Sequence, residues 1–138
     1  MSGIEYEAFR DLVVCAIGRD NPTDPAWDTY ADFLVQQQRE GKPPRGLVVT
    51  QGGAPTPSQR RLLDARLGAA AASSRVAVLT DSTFARGVVN AFALIQRGYR
   101  AFARDDLDEA LRFVDVSPSD APEVRRVMAR VEGRLSDR

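Results

Sequence analysis

Apolar residues in this chain gather in short runs, and each run is followed by a stretch with helical spacing. Leu12–Ile17 (LVVCAI) is apolar throughout and rich in Val and Ile, the pattern of a strand covered on both faces. Gly46–Thr50 (GLVVT) and Val76–Thr80 (VAVLT) read the same way, and Tyr99–Ala103 makes a shorter fourth strand. Ile4–Phe9 alternates weakly and stands apart from these. The cluster Gly18-Arg19-Asp20-Asn21-Pro22 marks a turn after the first strong run.

The intervening segments carry helix punctuation. Thr23 or Asp24 caps a first helix with Pro25 in its first turn, where a missing N–H costs nothing. Trp27, Tyr30, Ala31 and Leu34 form its apolar face, and Gly41 with Pro43-Pro44 ends it. Thr56-Pro57-Ser58-Gln59 has the form of a capping box, opening a helix with Leu62, Leu63, Arg66 and Leu67 that frays through the alanines of Gly68–Ser74. Asp81, Ser82 or Thr83 caps a third helix whose stripe is Phe84, Val88, Ala91 and Ile95, widened by Val89 and Phe92 and closed by Gly98. Asp106-Leu107-Asp108-Glu109 is a second capping-box pattern, with Leu107, Ala110, Leu111 and Val114 turned inward. From Asp120 to Leu135, Val124, Val127, Met128, Val131 and Leu135 make one clean amphipathic face, expected to pack on the domain rather than wait for a partner.

Four strand–helix alternations argue an α/β domain with right-handed crossovers. The expected architecture is a single domain, a mainly parallel sheet of four to five strands flanked by about five helices. Residues 1–117 form its body and 118–138 a C-terminal helix packed on it.

Composition narrows the chemistry. The 138 residues hold 43% hydrophobic and 28% charged residues, an ordinary globular balance. With no histidine, histidine-based triads and histidine metal sites are excluded within the chain. One cysteine forms no internal disulfide, and Cys15, mid-strand among apolar neighbours, reads as an inert core thiol. No run approaches the ~20 apolar residues of a membrane span, and a basic-then-apolar leader pattern is lacking, so a cytoplasmic location is expected. Lys+Arg and Asp+Glu both number 19, which removes a global basic signal for nucleic acid. The charge is uneven: residues 1–50 carry 8 acids and 5 bases, 51–104 carry 2 and 8, and 105–138 carry 9 and 6.

Ligands of open parallel sheets sit beyond the carboxyl ends of the strands. Three loops qualify: Gly18–Asp24, Thr50–Ser58 and Thr80–Arg86. Gly52 and Gly53 lie before a helix N-terminus, an arrangement that either cradles an anion or simply connects. The Gly-Lys-Ser/Thr ending of a P-loop is absent, as is the dinucleotide fingerprint. Asp81 is a candidate phosphoacceptor or metal ligand, with Asp20 and Asp24 the only acids placed to join it; a cap, or a pair with Arg86, is the plainer role. Arg60 and Arg61, with Arg66 on the same helix, offer a site for an acidic partner or a solvated face. Trp27 and Tyr30 read as core. No cofactor is expected.

The strands LVVCAI and GLVVT, the segment RVAVLTDSTFARGVVNAFALI, and YRAFARDDLDEALRFV with its acidic cap and "EAL" helix resemble the STAS domain, the anti-sigma-factor-antagonist fold, and its lipid-carrier-like relatives. The resemblance covers about Tyr6 to Val116. It implies a non-enzymatic, bacterial regulatory module that binds a protein partner, a regulator or kinase, with homodimer formation left open. In the regulatory members a Ser or Thr opening a helix is phosphorylated, and the equivalent place here is Pro55-Thr56-Pro57-Ser58. The family's Asp-Ser-Ser-Gly-like motif is missing there, which leaves Thr56 and Ser58, with Ser82 a minor candidate. The alternatives are a small-ligand or lipid binder, with its site at the sheet's carboxyl end or in an apolar slot beneath a helix, and an Asp81-dependent phosphotransfer protein.

Overall fold

The apolar runs do form the strands of one sheet. A computed structural model describes residues 3–42, 45–68, 74–93 and 98–136. In it β1 (Ile4–Phe9) and β2 (Leu12–Ile17) make a hairpin, followed by α1 (Asp24–Arg39), β3 (Arg45–Thr50), α2 (Pro57–Leu67), β4 (Arg75–Leu79), α3 (Thr83–Ala93), β5 (Tyr99–Phe102), α4 (Leu107–Phe113) and α5 (Ala121–Ser136). Over the described residues the protein is a single-domain α/β structure with a mostly parallel sheet of five strands and five helices. The weakly alternating Ile4–Phe9 is its antiparallel edge strand, joined to β2 by a two-residue turn in which Arg10 takes φ 53°.

Strand order follows chain order, β1-β2-β3-β4-β5, and β2 to β5 are parallel. Crossovers of one hand between successive neighbours all pass over the same side. Accordingly α1, α2 and α3 lie over one face of the sheet, while α4 and α5 cover the other.

The pleat sends alternate residues to these two sides. Leu12, Val14 and Ala16 of β2, Leu47 and Val49 of β3, and Ala77 and Leu79 of β4 meet α4 and α5. Val124, Val127 and Val131 of α5 seal that layer. An ionic seam holds α5 down: Arg130 and Arg134 both bind Glu7 of β1, and Arg104 binds Glu132 at 2.9 Å. On the opposite side Val13, Cys15 and Ile17 pack against Trp27, Tyr30 and Ala31 of α1 and Leu63 of α2.

Local signals decide the helix starts with one exception. Thr23 caps α1 and Thr56 caps α2, the latter with Gln59 in a reciprocal capping box. The second capping-box pattern does not form. A single 3-10 turn, Arg104–Asp106, precedes α4, and the Asp106 side chain makes no cap hydrogen bond. That turn already accepts the chain's reversal, with the Asp106 N–H bonded to Ala103 O. Pro43-Pro44, the alanine stretch 69–73, Ile95, and the side chains of Phe84, Val88, Ala91 and Phe92 lie outside what the structure describes. Among the described residues, no helix is long and apolar enough to cross a membrane.

Candidate functional site: an apolar cavity under three helices

Between the sheet and α1–α3 lies a cavity of about 210 Å³. Its floor is two rows of the sheet. One row runs Val13, Gly46, Val76, Tyr99; the next runs Cys15, Val48, Val78, Ala101. Most of these residues line the space, together with Leu34 of α1, Leu63 and Leu67 of α2, and Val89 of α3. Val48, Val76 and Val78 are only half-buried, although they sit mid-strand beneath the helix layer.

Two features of sequence make the space. The first is α2. Its apolar residues are few, and it is fastened sideways to α1 rather than pressed onto the sheet. Arg66 binds Asp28 at 2.6 Å and Asp32 at 3.1 Å. Gln59 donates to Pro22 O and to Asp24 Oδ1, its own carbonyl accepts from Trp27 Nε1, and Gln38 donates to Leu67 O. The second is Gly46, which leaves a gap in its row between Val13 and Val76. A Cβ there would meet Val76 at an ordinary 3.7 Å, so the position has room for a side chain and carries none. Glycine inside a strand often marks a place where something approaches the backbone closely.

Gly53 contrasts with it. A Cβ on Gly53 would fall 2.0 Å from the carbonyl oxygen of Asp20, so the two loops at this end touch backbone to backbone. The loop's amides are engaged internally: Gln51 N–H donates to Ile17 O, Gly52 to Thr50 Oγ1, Gly53 to Gly18 O, Ala54 to Asn21 Oδ1 and Thr56 to Gln59 Oε1. The glycine loop that resembled an anion cradle is thus a brace between β2 and β3 that forms one rim of the cavity.

The other sequence candidates scatter. Arg60 lines the cavity, whereas Arg61 is exposed and donates to Ser58 Oγ at 3.2 Å. Thr56 Oγ1 is occupied by the Gln59 N–H and Ser82 Oγ by the Ala85 N–H, so both hydroxyls serve as caps. Asp81 is exposed, and Arg86 does not pair with it: Arg86 donates instead to Thr80 O at 2.8 Å and to Thr83 Oγ1. Among the described residues no group of three or more His, Cys, Asp or Glu is placed to hold a metal ion. Trp27 and Tyr30 are buried, as expected of core residues, and also form part of the cavity wall.

The thiol and phenols of the cavity wall are held in their neutral forms. Burial pushes the Cys15 thiol up to about 12, so at neutral pH it is a protonated, unreactive group. Burial likewise holds the Tyr30 and Tyr99 hydroxyls above the usual phenol range. Sequence reasoning did not foresee the cavity's extent. The signals were present in the sparse apolar stripe of α2 and in Gly46 within GLVVT. Comparison of the chain with protein-family models, curated proteins and solved structures gave no match.

Proposed function

We propose that this protein is a non-catalytic binding module that holds a small apolar ligand in the cavity beneath α1–α3. The observation that carries this reading is the cavity itself, largely apolar and roofed in part by α2, whose ion pairs and amide hydrogen bonds run to α1 rather than to the floor. Its volume of about 210 Å³ exceeds the ~150 Å³ hole that suffices to take up benzene in an engineered core. A space of that kind left empty loses dispersion contacts along its whole lining. The absence of histidine and the inert thiol of Cys15 support binding rather than catalysis. The proposed setting is the cytoplasm.

Native mass spectrometry of the purified protein, with naphthalene added to ligand-stripped material, tests it. Bound mass and a raised melting temperature are expected, since a ligand that binds only the folded state stabilises it by mass action. Gly46→Val should abolish both while leaving the protein folded. No naphthalene binding by the wild type would overturn the proposal.

A specific observation favours a second reading, the STAS-like partner-binding module. Ser58 is exposed in the first turn of α2, performs no capping, and has Arg61 within hydrogen-bonding distance. A phosphoryl group there would gain from the helix dipole and from Arg61. Under this reading a kinase phosphorylates Ser58 and a protein regulator reads the change. Loss of partner binding in Ser58→Asp but not in Ser58→Ala would support it, and equal binding by both would dismiss it.

A further inference from the structure

The floor of the cavity is unevenly covered. In its two rows the β2 residues, Val13 and Cys15, are buried, whereas Gly46 and Val48 of β3 and Val76 and Val78 of β4 are only half-buried. The open part of the floor therefore lies over β3 and β4. Three of its four positions carry valine and the fourth is bare backbone, so the side chains leave a notch over Gly46. The notch is narrow. A carbon standing where a Cβ of Gly46 would be touches the two methyl groups of Val76 at 3.7 and 3.8 Å and the Val13 carbonyl oxygen at 3.8 Å. Those are ordinary contact distances, made to the strands on both sides. Along β3 the next side chain on this face, Val48, stands about 6.6 Å away.

A space of this form admits a group one carbon thick and about as long as the edge of a ring. An aromatic ring meets both conditions, because its carbons and hydrogens lie in one plane. A saturated ring is puckered and carries hydrogens on both faces, which would press on the Val76 methyls. A linear chain is thin enough, but one neighbour in the notch is an oxygen, and the edge of an aromatic ring carries the positive part of its quadrupole. We infer that the ligand is a flat aromatic compound seated edge-first over Gly46, with its remaining carbons over Val48 and Val78, and that Gly46 is the residue that sets this preference. This rests on the binding function proposed above and adds the class of ligand and the residue that selects it.

The test is equilibrium dialysis of the full chain against three ten-carbon hydrocarbons: naphthalene, decalin and decane. Decalin keeps the fused skeleton of naphthalene but is puckered, and decane is thin but saturated. Naphthalene should bind about tenfold or more tightly than either. Gly46→Ala places a methyl group in the notch. It should weaken naphthalene about tenfold and leave decalin and decane within about twofold. Its melting temperature without ligand reports that it is folded. Decalin or decane matching or exceeding naphthalene in the wild type would overturn the aromatic assignment and leave an unselective apolar cavity. Naphthalene bound equally by wild type and Gly46→Ala would overturn the role of Gly46, as would an equal loss for all three hydrocarbons. Failure of all three to bind the wild type would remove both the inference and the binding function beneath it.

Discussion

Adjacent residues of one strand show how differently the two sides of this sheet are finished. Val49 of β3 is 1% exposed and touches a closed layer of Leu, Val and Ala from α4 and α5. Val48, its neighbour, points the other way, half-buried against the cluster of Trp27 and Leu63 and lining the cavity beneath α1–α3. The strand supplies the same residue type to both sides. What differs is the cover. α5 brings Val124, Val127 and Val131 down onto the sheet and is clamped there through Glu7. α2 brings Leu63 and Leu67, and its ion pairs and amide hydrogen bonds run to α1. A packed side serves the fold; a side left unfilled under a braced roof is where a ligand fits.

The largest expected effect sets those two valines against each other. Val49→Ala should cost about 2–3 kcal/mol, because the removed methyl groups leave a hole in a rigid layer. Val48→Ala should cost about 1 kcal/mol, because the cavity term is already present in the wild type. Urea midpoints at constant m-value measure both. Equal losses would break the contrast between the two sides.

Enlarging side chains sharpens it from the other direction. Val49→Leu should cost about 1–3 kcal/mol by overpacking. Gly46→Ala should instead stabilise by about 0.5–1 kcal/mol, since its added Cβ meets Val76 at 3.7 Å without strain and the unfolded chain loses freedom. The two glycines then separate by role: Gly53→Ala drives a Cβ into the Asp20 carbonyl and should destabilise by more than Gly46→Ala stabilises.

Most of this architecture was legible in the chain. Continuous apolar strands, capping residues and glycine stops are local signals, and they predicted all four parallel strands and the starts of α1 and α2. The packed side was legible as well, because the Val124–Leu135 spacing has meaning only against a core. The cavity was harder to read, since a void is defined by where helices fail to reach. That depends on Arg66 choosing Asp28 and Asp32, and on Gln59 choosing Pro22 and Asp24, partners 34 to 38 positions away in the chain. Arg66, read with Arg60 and Arg61 as a site for an acidic partner or as a solvated face, binds Asp28 and Asp32 of the neighbouring helix. Likewise the glycine loop reads as an anion cradle or as a plain connection until the acceptors of its amides, Gly18 O and Asn21 Oδ1 of the neighbouring loop among them, are known.

Helix caps form the next contrast, within the roof of the cavity. Thr56→Ala removes the hydroxyl that accepts from Gln59 N–H and dismantles the capping box, for an expected loss of about 1 kcal/mol. Ser58→Ala, two residues on, should change stability by no more than about 0.5 kcal/mol, because that hydroxyl receives only an exposed arginine. Thermal unfolding of both variants checks the pair, and a Ser58→Ala loss as large as that of Thr56→Ala would show that Ser58 carries structural duty.

The smallest effect concerns the clamp on the packed side. The hydrogen bond from Arg130, aided by the charges of Arg130 and Arg134, holds the Glu7 carboxyl below the usual glutamate range. A carboxyl whose folded value is lowered contributes stability that is present above its unfolded value, about 4.3, and is lost as pH falls through the folded one. Wild type should therefore exceed Glu7→Gln in urea midpoint at pH 7, and the two should converge as the solution is taken acid of that window. Salt should shrink the neutral-pH difference, because the guanidinium groups are exposed and screened. A difference that persists unchanged in acid would mean that Glu7 acts through packing against α5 and not through its charge. The clamp would then have to be counted as part of the apolar seal that sets this side of the sheet apart from the other.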